Sequence, residues 1–295
     1  MTDTLKIALA QLNPTVGDIA GNVALLRGAR AEAAAGGADL VVASELVTCG
    51  YPPEDLVIRP IVQETIEREV TALAAETADG GPAMLIGTPW VHDGNLYNAA
   101  LLLDGGEIAA TRFKYDLPNY GVFDEKRVFC TGPLPGPVNF RGVRLGVMVC
   151  EDMWTEEVAE CLEESGAEIL TILNGSPYEQ DKWDTRVNLA VARATECRMP
   201  LIYVNQVGGQ DELVFDGASF VLGADASLRA QAPAWVETIM LTDWSRDGDS
   251  WICAETDRHP PPDGDPAIYS AMVLGLRDYV RKSGFPGVEP TASYT

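Results

Sequence analysis

Three residues of types that can act together as base, cation and nucleophile stand at or just past the carboxyl ends of apolar runs: Glu45 after DLVVAS, Lys114 after EIAATRF and Cys150 after VRLGVMV. The thiolate is the nucleophilic form of cysteine, and a neighbouring ammonium such as that of Lys114 is expected to lower the thiol pKa. A carboxylate beside the thiol can take its proton and later deliver it to a leaving amine. Histidine often fills that role, but the chain has only two, His92 in VHDGN and His259 in DRHPPP, both in polar, loop-forming surroundings. A hydrolase built on this sequence is therefore expected to use a carboxylate as its base. Singly, each residue has a plainer reading: a lone cysteine at a strand end is more often a small buried hydrophobe, and a lone Glu or Lys a solvated charge. It is the combination that points to chemistry.

Such a set needs a scaffold that gathers distant segments at one end of a sheet. Short apolar runs (LKIALAQL, ADLVVASEL, AMLIGTPWV, LYNAALLL, VRLGVMVC, EILTIL, PLIYVNQV) read as strands, several apolar enough to be buried on both faces. Between them NVALLRGARAEAAAGG, IVQETIEREVTALAAETA, TEEVAECLEESG and DTRVNLAVARATEC have helical period, the alternation of a layered α/β protein. In open α/β sheets the crevice outside the carboxyl ends of the strands is where ligands bind. After Cys150 comes EDMWTEEV, in which Thr155 is expected to cap a helix whose first turn holds Glu156 and Glu157, setting the thiol on a tight strand-to-helix turn. ASFVLGADASLRAQ reads as a hairpin, TDRHPPPDGDP as a linker and AIYSAMVLGLRDYVRKSG as an amphipathic helix stopped by glycine.

With 295 residues, 46% of them hydrophobic, the chain can bury the core of one large α/β domain. Its net charge of -23 repels phosphate, which argues against nucleic acid and anionic membranes as partners. The start MTDTLKIALAQL lacks a basic segment followed by a long apolar one, and no run approaches the roughly 18 apolar residues of a membrane span, so a cytoplasmic location is expected. Six cysteines, at 49, 130, 150, 161, 197 and 253, form no CxxC pair and no cluster with histidine. Free thiols are expected, with neither a zinc site nor a disulfide framework.

The segments SELVTCGYPPEDL, KYDLPNYGVFDEKRVF, VMVCEDMW, NGSPY and NQVGGQDELVFDGAS carry a resemblance that runs from about residue 4 to about residue 287. The sequence resembles the nitrilase or carbon-nitrogen hydrolase superfamily, whose catalytic set is a Glu, a Lys and a Cys in that chain order. Within it, the sequence is similar to the glutaminase domain of glutamine-dependent NAD synthetases. The resemblance implies a four-layer α-β-β-α sandwich with Glu45 as proton acceptor, Cys150 as nucleophile and Lys114 as the cation that stabilises the tetrahedral oxyanion, helped by a backbone N–H just after Cys150. It implies that Glu125 positions the lysine and that Tyr120, Ser176 and Lys182 hold the substrate, L-glutamine. Some family members carry Arg where this chain has Lys182. Glutamine's α-carboxylate and α-ammonium suit a cation such as Lys182 and partners such as Tyr120, Ser176 and Glu151. No metal or organic cofactor is expected for this step.

In full-length relatives of that kind the helix corresponding to YSAMVLGLRDYVRKSGFPG leads into a synthetase domain, which would bind ATP and deamido-NAD. Here GFPGVEPTASYT follows, so the expected division is a glutaminase domain over 1–257 and, over 258–295, a linker and the first helix of a synthetase domain that is absent. The helix from Ile268 to Val280 is expected to show an apolar face, to be met by a separate synthetase domain or by a second copy in a homo-oligomer. Two further readings stay open at this point: an amidase of the same superfamily acting on another small amide, and a non-catalytic remnant.

Overall fold

The computed structural model describes residues 3–287; residues 288–295, the end of the 258–295 segment, lie outside them. The first half of the chain runs β1 (Thr4–Gln11), α1 (Ile19–Ala35), β2 (Leu40–Ala43), α2 (Pro60–Glu76), β3 (Ala83–His92), β4 (Asn95–Asp104), β5 (Glu107–Phe113) and the short α3 (Glu125–Val128). Then come β6 (Val138–Phe140), β7 (Val143–Val149), α4 (Glu157–Glu164), β8 (Ile169–Asn174), α5 (Lys182–Cys197) and β9 (Leu201–Asn205). The last part holds β10 (Val207–Gln210), β11 (Leu213–Asp216), β12 (Phe220–Leu222), β13 (Leu228–Gln231), β14 (Thr238–Asp247), β15 (Ser250–Cys253) and α6 (Asp265–Lys282).

Two mixed sheets stack between helical layers. One has the order β15-β14-β1-β2-β3-β4-β5 and the other β13-β12-β9-β8-β7-β6, with β10 and β11 as a separate antiparallel ribbon. The period of two along the strands explains the layering. In β1, Leu5, Ile7 and Leu9 enter the core between the sheets, while Ala8 and Ala10 face the layer of α1 and α2. In β8, Ile169 and Leu173 enter the inter-sheet core, while Leu170 and Ile172 face α4 and α5. The α-β-β-α order follows, as the resemblance implies.

The parallel runs β1-β2-β3 and β7-β8-β9 bring several carboxyl ends to one place. The backbone N–H of Glu45, two residues beyond β2, donates to the carbonyl of Asn174 at the end of β8, so the two sheets touch at this rim. The sequence 218–231 forms the expected antiparallel pair β12-β13. PLIYVNQV is not one strand: β9 ends at Asn205 and the chain enters the ribbon at Val207, while β14 and β15 complete the first sheet outside any expected strand. Helix α6 packs its Ala267, Ala271 and Leu274 face inward, and a Cβ on Gly209 of β10 would meet the Cα of Gly275 at 2.7 Å. The side chain of Asp278, buried, accepts from Asn13 Nδ2 at 2.7 Å and from the Gly209 N–H at 2.9 Å.

Candidate active site

Glu45, Lys114 and Glu125 form one hydrogen-bonded cluster. Lys114, the first residue after β5, is wholly buried, and its Nζ donates to Glu45 Oε1 at 2.7 Å and Glu125 Oε1 at 2.8 Å. Its backbone is fixed by donation from its N–H to the Asn98 carbonyl on the neighbouring strand β4, at 2.8 Å. Asn98 also donates its Nδ2 to Glu45 Oε1 at 2.7 Å and to Glu125 Oε2 at 3.2 Å. Tyr51 donates its hydroxyl to Glu125 Oε1 at 2.8 Å, and the Gly175 N–H donates to Glu45 Oε2 at 2.9 Å. Burial opposes the charge of Lys114, yet the two carboxylates lift its pKa well above the ordinary lysine value, so it is an ammonium. Burial raises the Glu125 carboxyl, and Lys114 offsets that only in part.

Cys150 follows β7 directly and opens a single 3-10 turn, Cys150–Met153. Its φ of 47° lies in the left-handed region, a strained backbone for a side chain larger than glycine and of the kind that exposes a nucleophile at a sharp strand-to-helix turn. Asp152 ties this turn to the lysine: its Oδ1 accepts from the N–H groups of Tyr115 (3.0 Å) and Asp116 (2.8 Å), and its Oδ2 accepts from that of Val149 (2.9 Å). One side chain thus holds the residues beside both Lys114 and Cys150.

Two expectations are corrected here. Burial, then the charge of Glu45, pushes the Cys150 thiol well above the ordinary cysteine value, and Lys114 opposes this only in part. The pull of the ammonium is in the expected direction but is outweighed, above all by burial, so the net shift favours the thiol. Thr155 does not cap α4; Glu156 occupies the capping position without a side-chain bond, and the Thr155 hydroxyl donates to Asp116 Oδ2 at 2.6 Å. The turn at Cys150 intervenes between strand and helix and shifts the helix start to Glu157.

The remaining site residues fall into two groups. Tyr120 donates its hydroxyl to Glu151 Oε1 and Oε2 at 2.9 and 3.1 Å, and Lys182, the first residue of α5, pairs with Glu179 at 2.5 Å and lies 5.8 Å from the Phe123 ring centre. Tyr120, Phe123, Trp154 and Lys182 line one cavity of about 440 Å³. Ser176 sits deeper, buried, with its Oγ accepting from Arg186 Nε at 3.1 Å and its N–H donating to Asn205 Oδ1 at 3.0 Å. Both histidines are exposed and take no part. Among the described residues no group of three or more His, Cys, Asp or Glu is arranged to hold a metal ion, and the six cysteines are free.

Sequence reasoning passed over Tyr51, Asn98, Asp152, Gly175, Arg186 and Asp216. Asn98 had one local signal, a lone amide inside the apolar run LYNAALLL. The others act through bonds between distant segments.

The model of the family described as carbon-nitrogen hydrolase matches residues 6–250. A glutamine-dependent NAD(+) synthetase of Rhodobacter capsulatus is 45% identical over 98% of this chain and 52% of its own length. The structure of glutamine-dependent NAD+ synthetase from Acinetobacter baumannii in complex with adenosine diphosphate is 35% identical, with a TM-score of 0.90 over 97% of this chain and 53% of that one. An amidase from Nesterenkonia sp. AN1, in a mutant form carrying acrylamide by Michael addition at its active site cysteine, is 26% identical, with a TM-score of 0.71 over 80% of this chain and 92% of that one. The chain spans about half the length of the curated relatives it matches. With this fold, a buried Glu, Lys and Cys at its rim and a family match over most of its length, the chain is an enzyme and belongs to the carbon-nitrogen hydrolase family.

Proposed function

We propose that the chain is a glutamine amidohydrolase that releases ammonia through a Cys150 thioester, the ammonia-supplying part of glutamine-dependent NAD synthesis. The observation that carries the proposal is the buried Lys114 ammonium bonded to both Glu45 and Glu125, with Cys150 at the end of β7 and Asp152 tying the residues beside it to those beside Lys114. The similarity to glutamine-dependent NAD synthetases over nearly the whole chain supports the choice of substrate.

The steps follow from the charges. Glu45 takes the thiol proton as the sulfur attacks the side-chain carbonyl carbon of glutamine, so no free thiolate needs to accumulate. The carbonyl becomes a tetrahedral oxyanion, stabilised by the Lys114 ammonium and by the N–H just after Cys150. Glu125 keeps the ammonium aimed while Glu45 changes protonation. Collapse breaks the carbon–nitrogen bond, the proton on Glu45 passes to the leaving nitrogen, and ammonia departs. Glu45 then takes a proton from water as it attacks the thioester, and glutamate leaves with the thiol restored. No metal or organic cofactor enters these steps.

Lys182 and Ser176 would meet the α-carboxylate of glutamine, and Glu151 with Tyr120 its α-ammonium. A simple aliphatic amide gives these groups nothing to pair with, which favours glutamine over the small-amide reading. The segment 258–295 would be the linker and first helix toward a synthetase half that binds ATP and deamido-NAD. A glutamine-analogue electrophile tests the nucleophile: labelling should fall on Cys150, be blocked by excess glutamine and vanish in Cys150→Ala. Undiminished labelling of Cys150→Ala would mean that another residue is the nucleophile.

A further inference from the structure

The motif NQVGGQDELVFDGAS takes no part in the steps above, yet two of its residues build a buried network behind the Glu45 anchor. Arg186, on α5 and buried, donates Nε to Ser176 Oγ at 3.1 Å and Nη2 to the carbonyls of Ser176 and Pro177 at 2.8 and 2.7 Å. Its Nη1 donates to both oxygens of Asp216, at 2.7 and 2.9 Å, and Asp216, the last residue of β11, is itself buried. Asn205, the last residue of β9, grips the same loop from the other side. It accepts from the Ser176 N–H at 3.0 Å and donates Nδ2 to the Ser176 carbonyl at 3.1 Å.

The loop held this way carries the Gly175 N–H that bonds Glu45 Oε2. A Cβ on Gly175 would lie 3.0 Å from that same oxygen, so the backbone approaches the carboxylate closely. A buried ion pair is weak as a source of stability, because removing both ions from water offsets most of their attraction. What the guanidinium supplies instead is direction: a rigid fork of donors can hold a hydroxyl, two carbonyls and a carboxylate at once, which an ammonium cannot. With the Arg186 Nε–H on one lone pair of Ser176 Oγ, the Ser176 O–H is turned away from Arg186.

We propose that Arg186, oriented by Asp216, is a positioning residue for the reaction: it fixes the Gly175–Ser176 segment, and through it the aim of the Glu45 carboxylate and of the Ser176 hydroxyl. Only the Ser176 contact with glutamine rests on the function proposed above; the link to Glu45 stands on its own geometry.

Two variants of the full chain separate positioning from folding: Arg186→Lys and the double variant Arg186→Met/Asp216→Leu. The double variant leaves no unpaired buried ion, and replacing such a pair with apolar side chains is often neutral for stability. Three readouts apply: the thermal midpoint, kcat and KM for glutamine, and the rate of Cys150 alkylation by iodoacetamide, which needs no glutamine. Displacing a reacting group by about 1 Å can lower rates by ~100-fold, so kcat/KM is expected to fall at least ~10-fold through both kcat and KM, with slower alkylation. The double variant should show this while still unfolding in one cooperative thermal transition, at a midpoint lowered by the acceptors that Arg186 no longer serves. A folded double variant with wild-type kinetics and alkylation overturns the proposal, and if the double variant does not fold, Arg186→Lys decides by the same readouts. If the wild type does not hydrolyse glutamine while the variants still slow alkylation, the glutaminase proposal fails and the positioning role survives.

Discussion

At the residue scale the site is a matter of where three charges and one proton sit. Because burial and the charge of Glu45 hold the Cys150 thiol above its ordinary value, the sulfur is expected to rest protonated at neutral pH. The ultraviolet difference between wild type and Cys150→Ala should therefore show no thiolate absorbance near pH 7; a clear thiolate band there would show that the sulfur rests ionised. Asn98→Ala should lower turnover and stability together, since it leaves oxygens of two buried carboxylates short of a donor. Hydrogen bonds to charged groups contribute about 1.5–3 kcal/mol each, so a loss of ~10-fold or more in kcat is expected. Unchanged kinetics would remove Asn98 from the site. Glu45, Lys114 and Cys150 stood in the sequence as reactive types at the ends of apolar runs, each ordinary alone and set together by their combination and by the resemblance; of the three, the bonded Glu45–Lys114 pair is seen directly. Tyr51 was not, because its bond to Glu125 spans 74 residues and its own neighbours read as a turn.

At the scale of elements, strand β3 sets the position of Glu45 from below. A Cβ on Gly87 would lie 2.5 Å from the Leu46 nitrogen and the Ser44 carbonyl oxygen and 2.6 Å from the Glu45 Cα, all backbone atoms with no freedom to swing aside. Gly87→Ala is expected to reduce activity by at least ~10-fold by displacing Glu45, and to lower the thermal midpoint as well. Normal kinetics in a folded Gly87→Ala would show that β3 does not set the position of Glu45. Asp152 carries a pH signature. Burial pushes its carboxyl from 3.8 up to about 7, against the pull of its N–H donors. Between those values the native chain keeps this proton while the unfolded chain has released it, so this residue makes stability fall as pH rises through that window. Urea unfolding of Asp152→Asn should lack that slope, and curves for wild type and variant that run parallel in pH would refute the assignment. The strands bearing the site were readable from continuous Val, Ile and Leu runs. By contrast β14, TIMLTDWSRD, was missed because its charged, partly exposed residues hide the alternation, and it becomes a strand only by pairing with β1 along its length. The ribbon β10-β11 was missed because its strands are four residues each and β10 is half glycine, and the packing of α6 holds it.

At the scale of the molecule, two sheets and two helical layers enclose the site at one rim, and α6 adds a second surface. Its inner face is locked to β10 through Gly209, Gly275 and Asp278, while Tyr269, Met272, Leu276 and Tyr279 point outward, with Tyr269 69% and Met272 67% exposed. Among the described residues no helix is long and apolar enough to cross a membrane. The chain spans about half the length of its relatives, and we propose that this exposed apolar face meets the synthetase half of such a protein. Light scattering should show complex formation between the purified chain and an added synthetase domain, and self-association alone would assign the face to a second copy instead. The double variant Met272→Glu/Leu276→Glu should abolish it with glutamine kinetics intact, and a wild type that is monomeric and binds no synthetase domain would contradict the proposal. The central claim, that this chain hydrolyses glutamine at Cys150, is tested most directly by measuring glutamate and ammonia released from glutamine by the wild type and by Cys150→Ala. Equal amounts of both products from the wild type, and none above background from the variant, are predicted. Release that persists in Cys150→Ala, or a wild type that leaves glutamine intact while hydrolysing a simple aliphatic amide, would contradict it.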